Sequence, residues 1–89
     1  MADIEETSFE QLAGAAQGGA PDALFQLGLM YCAGRDVPMD LVVAHKWFNI
    51  AAVRGNDDAK RYRMELAAEM SKTEIARAQK LAREWIRAH

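Results

Sequence analysis

Apolar residues recur at three- and four-residue steps along this chain, and no segment alternates apolar and polar residues as a strand does, so the pattern predicts helices throughout. Ser8 with Gln11 makes a capping box, and Phe9, Leu12, Ala13 and Ala16 form the stripe of a first helix that ends at Gly18-Gly19. Pro21, suited to a first helical position, opens a second helix through Ala33, with Phe25, Leu27, Met30 and Tyr31 apolar and Gly34 as the stop. Asp40 caps a third, in which Leu41, Ala44, Trp47, Phe48 and Ala51 share a face and Gly55 is the end. Asn56 caps a fourth, running to about Met70 with Ala59, Tyr62, Leu66 and Met70 on one side. Ser71 and Glu74 box the start of a fifth, turning Ile75, Ala78, Ala82, Trp85 and Ile86 inward.

Composition narrows the class. Eighty-nine residues make one small domain, 1–89. The hydrophobic fraction of 51% and charged fraction of 27% are those of an ordinary globule rather than a disordered tail. One cysteine excludes an internal disulfide and a cysteine-rich zinc site. The net charge of −2 gives no overall attraction to nucleic acid. That charge is unevenly spread: residues 1–58 carry nine acids against Arg35, Lys46 and Arg54, and residues 59–89 carry eight cations against four acids. The signs alternate within the basic third, as on a solvated helix face. An acidic start without a long apolar run, no stretch long enough to span a bilayer and no lipidation signal predict a cytoplasmic protein with no membrane partner.

Sliding the chain by 36 positions lays Leu12 on Phe48, Ala15-Ala16 on Ala51-Ala52, Gly19 on Gly55 and Asp22-Ala23 on Asp58-Ala59. A glycine stop, an acid in the next first turn and a small residue after it, all in register across a helix–turn–helix junction, mark an array of helical pairs. Gly28 stands mid-helix, where it costs about 1 kcal/mol relative to alanine, and so marks a close approach of the second and third helices. Ala44, Ala51 and Ala52 offer small surfaces opposite it, with Trp47 and Tyr31 filling the adjacent volume. In the segment from Gly34 to Asp40, Val37 turns inward and Pro38 fixes the approach to the third helix.

These positions resemble the Sel1-like repeat, a relative of the tetratricopeptide repeat. The likeness is carried by Ala23, Leu27, Gly28, Tyr31, Gly34, Val37, Pro38, Asp40, Ala44, Trp47, Ala51, Ala52, Gly55 and Ala59, and covers Ala15 to Ala59. It implies an all-α, α-solenoid-type, right-handed stack of antiparallel helix pairs, about five helices in all. One full repeat would occupy about 21–56, a half repeat 8–19, and capping helices 56–70 and 72–88. Two positions depart from the family pattern. Asp36 stands where glycine is usual, so it must avoid or tolerate a left-handed backbone. In the fourth helix Arg63 and Met64 replace Leu27 and Gly28 at the 36-residue offset. Stacks need polar end caps, and the charged fourth and fifth helices suit one end and the acidic first helix the other. Arrays normally use about three repeats, so either these caps suffice or two copies stack.

No reactive constellation emerges. Cys32, beside Tyr31, reads as a small packing residue. His45 has no acid or histidine at helical spacing, and His89 is the last residue of the sequence, so no catalytic group, metal site or cofactor is expected. Asp57-Asp58 suits the positive end of the fourth helix. Gly18-Gly19 is no phosphate loop. Trp47 and Phe48 read as core rather than a base-stacking platform.

Two function classes follow. Sel1-like repeat proteins serve as adaptors and scaffolds, so the resemblance implies a non-catalytic module that binds a peptide or protein on the concave face, lined by the first helix of each pair. Here those are the second and fourth helices, whose residues not claimed by the repeat core are Phe25, Gln26, Leu29, Arg61, Tyr62 and Glu65. The alternatives are burial of Phe25 and Leu29 by the first helix or a second protomer, and a small self-associating structural or regulatory subunit, for example a homodimer, whose repeat face is covered by its own copy.

Overall fold

The protein is described by a computed structural model, covering residues 9–89. Those residues form five helices and no strand: α1 Phe9–Gln17, α2 Pro21–Ala33, α3 Leu41–Val53, α4 Asp57–Ala67 and α5 Lys72–Ala88. Ser8 of the first capping box lies outside the described residues.

Local chemistry starts and stops each helix. The Asp40 carboxylate accepts from the Val43 N–H (3.1 Å), and the Asn56 carbonyl oxygen from the Ala59 N–H (2.9 Å). At α5 both arms of the capping box close, Glu74 N–H to the Ser71 hydroxyl (3.1 Å) and Ser71 N–H to the Glu74 carboxylate (2.9 Å). Pro21 opens α2, and Gly34 closes it in the left-handed conformation (φ 70°). Asp36 also adopts a left-handed backbone (φ 66°), a conformation an aspartate tolerates better than most residues. The fourth helix ends at Ala67, earlier than its apolar stripe implies. There the chain tightens into i→i+3 bonds, Glu69 N–H to the Leu66 carbonyl (2.9 Å) and Met70 N–H to that of Ala67 (3.1 Å), which still buries Met70.

The 36-residue self-similarity has a backbone counterpart. At the end of α1, Gly19 N–H donates to the Ala16 carbonyl (2.8 Å) and Ala20 N–H to that of Ala15 (3.2 Å). Thirty-six residues on, at the end of α3, Gly55 N–H donates to Ala52 (3.1 Å) and Asn56 N–H to Ala51 (2.9 Å). Gly19 and Gly55 both take positive φ, 85° and 109°.

The centre of the molecule is α3, which packs on α2, α4 and α5, while α1 packs on α2. Its sequence suits that place, since Ala44, Phe48, Ile50 and Ala51 are each at most 1% exposed and bury more than one face. Gly28 does mark a close approach, but its neighbour is not the small surface expected. The Phe48 ring lies there, so a Cβ on residue 28 would fall 2.4 and 2.5 Å from the Phe48 Cε1 and Cδ1 atoms. Trp47 lines one space with Leu27 and Tyr31 and meets Trp85 edge to face, at 6.0 Å between ring centroids, which fastens α5 to α3. Val37 is half-buried against the core.

Candidate functional site

The six residues singled out on α2 and α4 separate into an aromatic floor and a polar rim. Phe25 and Tyr62 meet edge to face at 5.1 Å, and each lies 5.7 Å from Phe48 beneath them. Both are half-buried, as is Leu29, and all three pack against the core. Gln26, Arg61 and Glu65 are exposed. The Arg61 guanidinium stands 5.4 Å from the Tyr62 ring centre, with Asp58 (3.8 Å) and Glu65 (4.0 Å) on either side along α4. Such exposed pairs contribute roughly 0–1 kcal/mol, so an incoming carboxylate can exchange with them.

Polar bonds between helices hold this face in place. The Asn56 side-chain amide donates to the Asp22 carboxylate (3.1 Å), tying the start of α4 to the first turn of α2. Arg63 Nη1 donates to Asn49 Oδ1 (3.0 Å), tying the middle of α4 to α3. At the 36-residue offset Arg63 falls on Leu27, which is buried, and Arg63 makes this hydrogen bond instead. Met64 stands in the position of Gly28 and is 69% exposed, because α5 packs on α3 and leaves that side of α4 uncovered.

Among the described residues no group of three or more His, Cys, Asp or Glu side chains is placed to hold a metal ion. Burial, and then the charge of Glu69, raises the Cys32 thiol above its ordinary pKa and so disfavours the thiolate. His45 is 2% exposed, and its Nδ1 has no hydrogen-bond partner. Burial, with the Arg63 charge second, lowers its pKa. Above about pH 6.5 the imidazole is neutral in both folded and unfolded chains, and below it the unfolded chain takes up the proton first. Stability should therefore fall as pH drops through the His45 range. Urea midpoints between about pH 7.5 and 5 should decline for the wild type and stay nearly flat for His45→Gln, and equal slopes for the two would contradict the buried neutral imidazole.

Pattern reading gave no sign of a small apolar cavity of about 100 Å³ on another side of the molecule, where Phe9, Ala16, Leu27, Tyr31, Trp47 and Trp85 line the space between α1, α2, α3 and α5. Ligand pockets typically run to about 300–1,000 Å³, so this space is a packing gap between large rings rather than a developed site. Cations lie over the rings around it, Lys46 Nζ 4.3 Å from the Trp47 ring centre and the Arg54 guanidinium 5.6 Å from that of Trp85. Lys46 is itself held below its ordinary pKa by burial.

No protein-family model, curated protein or solved structure matches the chain. Among the described residues no helix is long and apolar enough to cross a membrane.

Proposed function

We propose that this chain is a non-catalytic interaction module of the Sel1-like repeat type, a solenoid-type stack whose α2/α4 face binds an extended or helical protein segment with an acidic residue. The observation that carries the reading is the join between the two helices: Phe25 and Tyr62 in contact at 5.1 Å, with an exposed guanidinium beside them. Aromatic and arginine side chains are the residue types that most often dominate binding energy at interfaces, and Arg61 offers a planar fork to a carboxylate. Gln26 adds a hydrogen bond to ligand backbone. The matching helix ends around Gly19 and Gly55 support the repeat reading, which makes α2 and α4 equivalent helices of successive pairs.

The test is selection of binders from a displayed random-peptide library, followed by affinity measurements on variants. Arg61→Ala and Phe25→Ala should each weaken the selected peptides by more than ~1 kcal/mol, with Arg87→Ala on α5 neutral. Binding abolished by Arg87→Ala alone would move the site to the basic C-terminal helix.

A further inference from the structure

We propose that Lys46 is a site of spontaneous acylation, an amine on α3 that takes short acyl groups from thioesters. Three features of its placement carry the inference. The first is burial. Lys60, Lys72 and Lys80 are exposed, whereas Lys46 is half-buried on the helix at the centre of the molecule. The second is the lack of a polar partner. Lys46 Nζ stands 4.3 Å from the Trp47 ring centre, and a ring accepts no ordinary hydrogen bond from the three N–H groups of an ammonium. No carboxylate offsets this, since the ion pairs among the described residues both belong to Arg61. The third is access. The fully buried nitrogens without a partner among the described residues are His45 Nδ1 and Trp47 Nε1, so the unpaired Lys46 Nζ still reaches solvent.

These features together make a nucleophile. Only the neutral amine has a lone pair to offer, and an ammonium that is partly desolvated and unpaired is the less favoured form. Burial accordingly lowers the Lys46 pKa. Near neutral pH a larger share of Lys46 than of a lysine in open water is therefore ready to react. A thioester suits this amine because the reaction needs no further reagent. The Nζ lone pair attacks the thioester carbonyl carbon, the N–C bond forms, and the C–S bond breaks with its electron pair leaving on the thiolate. The proton released by nitrogen passes to the thiolate or to water. The product is a neutral amide, so the step removes the charge that this position solvates poorly. The site lies on α3 and makes no use of the α2/α4 peptide face.

The test is incubation of the folded chain with the acetyl thioester of N-acetylcysteamine at about pH 8, stopped at low conversion, with circular dichroism to confirm the fold. Cleavage at acidic residues gives each lysine its own peptide: 41–57 for Lys46, 59–65 for Lys60, 70–74 for Lys72 and 75–84 for Lys80. Mass spectrometry of these peptides then reads four separate rates. Lys46 should be acetylated several-fold faster than each of the other three, and its rate should level off at a lower pH than theirs. In urea that unfolds the chain, the four rates should converge. A Lys46 rate equal to or below those of the exposed lysines would overturn the inference. An advantage that survives in urea would also overturn it, because it would then come from the adjoining His45 and Trp47 in the sequence and not from the fold.

Discussion

Gly28→Leu should destabilise the protein by about 2–3 kcal/mol, the upper part of the range for overpacking a core contact. A Cβ alone would stand 2.4 Å from the Phe48 ring, closer than real contacts allow, so either the ring or the helix must shift. The ring has little room: Phe48 is 1% exposed and is bracketed by Phe25 and Tyr62, each 5.7 Å away. Replacing a mid-helix glycine would by itself gain up to about 1 kcal/mol of helix propensity, so a net loss identifies the clash as the dominant effect. Urea denaturation reads it as a lower midpoint at unchanged slope. A midpoint equal to or above that of the wild type would mean that α2 and α3 do not meet at this position.

The opposite substitution should cost more. Phe48→Ala empties the volume shared by α2, α3 and α4 and should destabilise by about 3–5 kcal/mol, as for other buried phenylalanines. It also removes the obstacle to a side chain at residue 28, so the two sites are coupled. In the background of Phe48→Ala, Gly28→Leu should lose most of its penalty or become stabilising, because the new methyl groups enter the vacated space. Additive losses would show that Gly28 is constrained by something other than this ring. Each loss is a large part of the roughly 5–15 kcal/mol that holds a typical domain together, so calorimetry should precede any binding comparison on these variants.

Helix existence was legible because caps and stops are local chemistry: Asp40, Asn56 and the Ser71–Glu74 box each act within three residues of their own position. Partner choice between helices was less so. The glycine at position 28 announced a close approach, but periodicity says which side chains point inward and not how far each reaches across, so Phe48 rather than the alanines occupies the contact. Likewise the stripe of Ala78, Ala82 and Trp85 required α5 to bury one face, yet only the Trp47–Trp85 contact reveals that α3 is what it buries it against. The early end of α4 depends on an i→i+3 turn that keeps Met70 buried, and an apolar stripe does not distinguish such a turn from one more turn of helix.

The candidate face shows the same division. Its members are the positions of two helices left over by the repeat core, and the structure places Phe25 and Tyr62 in contact, with Arg61 beside Tyr62. Leu29 and the two rings prove half-buried, so Gln26, Arg61 and Glu65 form the exposed polar rim. The flanking carboxylates of Arg61 follow from its three- and four-residue spacing to Asp58 and Glu65. The apolar cavity could not be read, because its lining comes from four helices whose mutual packing is not set by local sequence.

Amide chemical-shift mapping with a selected peptide tests the central claim most directly. The account predicts that perturbed amides cluster on α2 and α4 around Gln26, Leu29, Arg61, Tyr62 and Glu65, and that Arg61→Ala removes them. Perturbations centred on α5 around Arg83 and Arg87, unchanged by Arg61→Ala, would contradict it.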